Sequence, residues 1–116
     1  MDSQLQTAVS SGMGAVIAGE RLEPAEALAR LASRPHLICH STFLIERLGL
    51  AANAPRAAIR AAKDQRHYDV AELFAFTCPA RFATPTPTGL ARSLAVEPGE
   101  TDEETLRLIT EDLLAR

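Results

Sequence analysis

Residues 68–96, YDVAELFAFTCPARFATPTPTGLARSLAV, carry four of the five aromatic side chains and three of the seven prolines of the chain. Tyr68-Asp69 reads as the end of a short strand. A helical run follows over residues 70–76, with Val70, Leu73, Phe74 and Phe76 bulky and Ala71 and Ala75 small. Pro79, Pro85 and Pro87 forbid one continuous helix, because each lacks an N–H and pushes the residue before it towards extended geometry. Thr86 is placed to cap a second helix. Pro87 suits its first position, and Leu90, Ala91 and Leu94 give it an apolar stripe. The unit is therefore strand, helix, rigid loop, helix, and Phe74, Phe76, Pro79, Phe82, Leu90 and Leu94 are its expected core contributors.

Working back towards the N-terminus, Pro55 to Gln65 (residues 55–65) is Ala-rich and helical. Ser41 or Thr42 is placed to cap a helix that turns Phe43, Leu44, Ile45 and Leu48 inward and ends at Gly49. Residues 36–40, rich in Leu37, Ile38 and Cys39, fit a buried central strand. Glu23-Pro24 opens a helix with Ala25, Leu28, Ala29, Leu31 and Ala32 on one face, and Arg34-Pro35 stops it. Residues 5–22 form a weak hairpin, in which Leu5, Thr7 and Val9 alternate, residues 10–12 turn, residues 15–18 make a second strand and Gly19-Glu20 breaks it. At the other end, Thr101 and Glu104 form a capping box for a helix that turns Leu106, Ile109, Leu113 and Leu114 to the core. Strand, helix, strand, helix spells an α/β fold: a short sheet flanked by helices, with residues 36–40 pairing parallel to 67–69.

The whole fits one domain spanning residues 1–116. Hydrophobic content of 47% beside 23% charged residues is that of a globular chain, and a net charge of −3 exerts no general pull on nucleic acid or membranes. Cys39 and Cys78 read as reduced, buried thiols rather than a disulfide framework. No apolar run approaches the ~18 residues of a membrane span. The N-terminal MDSQLQTAVSSG lacks the basic and apolar regions of a leader, so a cytoplasmic location is expected.

Catalytic motifs are scarce. GxxxxGK[ST], GxGxxG and HExxH are absent from the sequence, which removes the sequence basis for a phosphate cradle or zincin chemistry. Cys39-His40 sits on a strand whose neighbouring side chains point to opposite faces, and His36, Cys39, His40, His67 and Cys78 lack paired-ligand spacing. No catalytic residue, cofactor or metal ligand is therefore expected. One charge pattern remains. Arg56, Arg60, Lys63 and Arg66 recur at helical spacing and could meet successive phosphates of a single DNA strand, although a solvated helix face is the favoured reading. Residues 97–116, with seven acids against two arginines, would repel DNA.

Residues 35–50, PHLICHSTFLIERLGL, together with residues 67–96, resemble the N-terminal region of bacterial DinG-type ATP-dependent DNA helicases of alphaproteobacteria. There, a segment of the form ELFAF-x-x-PARF-x-x-PTP-x-GLA precedes the motor. The likeness covers about residues 20–96. That region in turn is similar to a degenerate DEDD 3′–5′ exonuclease, which implies a ribonuclease-H-like fold. LICHSTFLIERL stands in place of a His-Asn…Phe-Asp motif, DVAELF in place of an Asp-Thr…Leu-Ala segment, GLARSLAV in place of Leu-x-x-Leu-Ala-x-x-Leu-Gly, and ETDEETLRLITEDLL in place of the last Asp-bearing helix. The metal-holding acids are missing. GAVIAGE offers only Glu20 after the strand, Leu44 or Ile45 replaces the second Asp, the base-bearing His falls near Glu97, and Asp102 alone survives.

The resemblance implies a catalytically silent accessory domain that packs on a helicase motor in cis, beyond residue 116, or guides single-stranded DNA with weak affinity. The alternatives are a residual metal-dependent nuclease using Glu20, Asp69 and Asp102, and a free-standing module that oligomerises through its Ala/Leu helices.

Overall fold

A computed structural model describes residues 5–116; residues 1–4, part of the stretch read for a leader, lie outside them. The chain runs β1 (Thr7–Ser11), β2 (Gly14–Ile17), β3 (Glu20–Leu22), α1 (Pro24–Ser33), β4 (Leu37–Ile38), α2 (Ser41–Ala51), α3 (Arg56–Asp64), β5 (Tyr68–Asp69), α4 (Val70–Thr77), α5 (Pro87–Leu94) and α6 (Asp102–Leu114). The fold is α/β, with a five-stranded mixed sheet in the order β3-β2-β1-β4-β5. β1, β2 and β3 form an antiparallel meander, while β4 lies parallel to β1 and β5 parallel to β4. The expected pairing of residues 36–40 with 67–69 is present in the register Leu37 to Tyr68 and Ile38 to Asp69.

Alternation along the strands sorts the core into two layers. Ala8, Ile17 and Ile38 face one way and pack under α1, α2 and α3 with Leu28, Leu31, Leu44, Ile45, Leu48 and Ile59. Val9, Leu37 and Cys39 face the other way and meet Val70, Phe74, Leu90, Leu94, Leu106 and Ile109 of α4, α5 and α6. The sheet is thus covered on both faces, as its parallel half requires.

The N-terminal strands exceed a single hairpin. Ala18 and Gly19, at φ +50° and +83°, turn β2 into β3, as two-residue hairpin loops demand, so Gly19-Glu20 starts a strand instead of ending the sheet. Thr86 Oγ1 accepts the Gly89 N–H at 3.0 Å and caps α5 as expected. Thr101 Oγ1 likewise accepts the Glu104 N–H at 3.1 Å, but the Glu104 carboxylate takes the Glu100 N–H in place of the Thr101 one, so the box closes one residue early.

Other expectations need correction. Phe74, Leu90 and Leu94 are buried, whereas Pro79 is exposed, Phe76 is 85% exposed and Phe82 99%. The prolines hold the α4–α5 connection out along the surface, so the helical stripe that buries Phe74 cannot also bury Phe76, two residues on. Phe43 and Leu114 also point outward, and Ala25 and Ala29 lie off the buried α1 stripe of Ala27, Leu28 and Leu31. Gly49 does not end α2, which runs on to Ala51. It sits where an added Cβ would come within 2.5 Å of Ile59 Cγ1, so its role is to let α2 approach α3.

Candidate functional site

The parallel strands deliver their C-terminal ends to one place. In open α/β sheets, ligands collect at the crevice where neighbouring strands send their connections in opposite directions. Here that point lies between β1 and β4, because β1 leads into the meander and β4 into α2. A cleft of about 210 Å³ opens there, bordered by Val9 and Ser10 of β1, Cys39 and His40 after β4, Leu44 of α2, Thr86 ahead of α5 and Asp102 at the start of α6.

Its chemistry is subdued. Asp102 is the sole acid among the residues lining it. The central strand is TAVSS, with GAVI beside it as the second strand, so Val9 and Ser10 border the cleft and the GAVIAGE run does not. Neither strand carries an Asp-x-Glu. Burial first, then the Asp69 and Asp102 carboxylates, pushes the Cys39 thiol up to about 12, so it stays protonated and non-nucleophilic at neutral pH. His40 borders the same cleft with its ring 5.8 Å from that of Phe43, and its buried Nδ1 has no hydrogen-bond partner.

The three carboxylates considered for a residual metal site are not brought together. Glu20 pairs with Arg30 at 3.0 Å on the far edge of the sheet. Asp69 is consumed by the scaffold: Oδ1 accepts the Glu72 N–H at 3.0 Å and caps α4, while Oδ2 accepts both the N–H and the hydroxyl of Ser41 at 2.9 Å. Ser41 therefore does not cap α2 with its side chain; its own N–H is capped from β5. Among the described residues, no three His, Cys, Asp or Glu side chains are arranged to hold a metal ion.

The basic row on α3 is partly neutralised. Ile59 and Ala62 bury the opposite face of the helix, and Glu46 of α2 reaches across to Arg56 at 3.3 Å and to Lys63. Those hydrogen bonds, Lys63's first, hold the Glu46 carboxyl below its ordinary range. Arg60 is exposed on α3, while Arg66 lies beyond the end of the helix, so the four cations do not form one straight row.

Three polar devices escape a reading by periodicity. Arg47 clamps the first hairpin by donating to the Gly12 and Gly14 carbonyls at 2.8 Å. Glu103 accepts from the Thr7 hydroxyl and, at 2.9 Å, from the Gly19 N–H. Beneath β5, His67 Nδ1 accepts the His36 N–H at 3.0 Å and Nε2 donates to the Ala62 carbonyl at 2.9 Å. Each joins residues remote in sequence, and no local pattern announces such a bond. No helix among the described residues is long and apolar enough to cross a membrane. No family model, curated protein or solved structure matches the chain.

Proposed function

We propose that this chain is a non-catalytic accessory domain of a DinG-like ATP-dependent DNA helicase, built on a degenerate ribonuclease-H-like core and serving to pack on the motor or guide a DNA strand. The observation that carries this reading is the cleft at the ends of β1 and β4, where Val9, Ser10 and Leu44 line the wall and Asp102 is the single carboxylate. A phosphodiester-cleaving pair of divalent ions needs several clustered oxygen ligands, and one carboxylate cannot assemble them. The order β3-β2-β1-β4-β5, a meander extended by two parallel strands, is compatible with the ribonuclease-H-like core that the motif order implies.

Incubation with 5′-labelled single-stranded DNA and Mg²⁺ or Mn²⁺ tests the silent cleft. The strand is expected to remain intact; shortening that disappears in Asp102→Ala would overturn the reading. A phosphate-binding loop in the reading frame downstream of residue 116 is expected if a motor follows in cis.

A further inference from the structure

Three of the four phenylalanines lie at the surface, and two of these, Phe76 and Phe82, flank the connection between α4 and α5. An exposed aromatic ring of this size leaves a large apolar area in water, which a monomer gains nothing by presenting. Phe82 is also held in place. Its carbonyl accepts from the Ser93 hydroxyl at 3.2 Å, and Arg81 Nη1 donates to the Ser93 carbonyl at 3.1 Å, so the Phe82 backbone and the Arg81 side chain are both tied to the end of α5. The Phe82 ring, 99% exposed, is left projecting from an anchored loop.

Charge within the segment itself is one-sided, the acids beside it being Glu72, one turn before Phe76 on α4, and Asp102, which borders the cleft with Thr86. Residues 73–96 contain no Asp or Glu and include Arg81 and Arg92, within a chain that carries 15 acids. Neither arginine has a carboxylate partner among the described residues, because the ion pairs present involve Arg30, Arg56, Lys63 and Arg116. The α3 row differs on both counts: Glu46 occupies two of its cations, and it bears no aromatic side chain.

We infer that the ridge over residues 76–92 is a contact surface for single-stranded nucleic acid, with Phe82 as the platform for a base and Arg81 and Arg92 meeting the flanking phosphates. Bases stack on exposed aromatics with little regard for sequence, and nearby arginines track the backbone, so the combination suits a single strand. The inference rests on the accessory-domain reading only for the choice of probe. Degradation of DNA would sink that reading and leave this surface standing.

The test is fluorescence anisotropy at low salt with a labelled oligothymidylate of about 16 nucleotides. Phe82→Ala is expected to bind roughly tenfold more weakly with an unchanged thermal midpoint, since the ring touches no core. Arg81→Ala with Arg92→Ala should flatten the salt dependence by about 1.4 in log–log slope, two contacts' worth for a single strand. Because the chain has no Trp, Phe82→Trp supplies a lone reporter whose emission should be quenched as the strand binds. Absence of binding by the wild-type chain, undiminished binding by Phe82→Ala, or loss on reversing Arg60 and Arg66 instead, would overturn the inference. So would a protein partner lost in Phe82→Ala when no oligonucleotide binds.

Discussion

Asp69 ties three elements together. One carboxylate caps α4 and receives both polar hydrogens of Ser41, so β5, α4 and the start of α2 share a single anchor. Asp69→Ala leaves the Ser41 and Glu72 N–H groups without their acceptor, and a loss of about 1–3 kcal/mol in urea unfolding is expected. His67 holds a second junction and must be neutral to do so, because its Nδ1 accepts the His36 N–H. Burial is the largest influence and lowers the affinity of both His36 and His67 for protons; at His36 the bond to the Arg34 carbonyl opposes it while the charges of His67, Arg34 and Arg30 add to it, and at His67 bonds to the Ala62 and Leu31 carbonyls oppose it. The unfolded chain therefore binds more protons just below pH 6.5, and stability is expected to fall as pH drops through about 6.5 towards the depressed folded values. Unfolding free energies at pH 7.5 and 5.5 check this. The difference should shrink in His67→Gln, and an unchanged difference would place the pH response elsewhere.

Among the elements, the α2–α3 contact is set by one missing side chain. Gly49→Ala drives a methyl into Ile59 and is expected to destabilise by about 1–3 kcal/mol. Combining it with Ile59→Val, which removes part of the obstruction, should recover some of that loss, so a double-mutant cycle measures the coupling directly. Helices whose stripe or cap is local are legible in the sequence. α5 begins at Pro87 behind Thr86, and α6 begins at Asp102 behind Thr101, where each is expected. The parallel partners β4 and β5 are legible too, because a short run between two helix signals leaves few alternatives. What escapes is set by contacts between elements. Gly49 looks like a helix end because glycine often is one, yet Ile59, ten residues away, gives it its role. Phe76 reads as core because it is apolar, while helical geometry gives the inward position to Phe74. The candidate cleft is legible only in part: Leu44 and Asp102, singled out in the sequence, both line it, but the contribution of Ser10 depends on which strand lies at the centre.

At the scale of the whole molecule, one sheet carries two apolar layers on its opposite faces. Leu48 belongs to the layer under α1, α2 and α3, and Leu106 to the one under α4, α5 and α6; both are fully buried. Leu48→Ala and Leu106→Ala are each expected to lose about 2–5 kcal/mol. Their effects should add to within about 0.5 kcal/mol, since the sheet separates the two sites. Chemical denaturation followed by two probes should give coincident transitions for both variants; separated midpoints would mean that the layers unfold independently.

The unequal lengths of the strands bear on the order in which the chain assembles. β1, β2 and β3 are joined by tight turns and can zip together with little loop to close, whereas β4 and β5 are two residues long and wait on helical crossovers. Nearby pairings form before distant ones because closing a long loop is entropically slower. In pulse-labelled refolding, the amides of β1 and β2 should resist deuteration before those of Leu37 and Tyr68, so the chain would acquire its cleft only after the meander has formed, when the ends of β1 and β4 come to lie side by side.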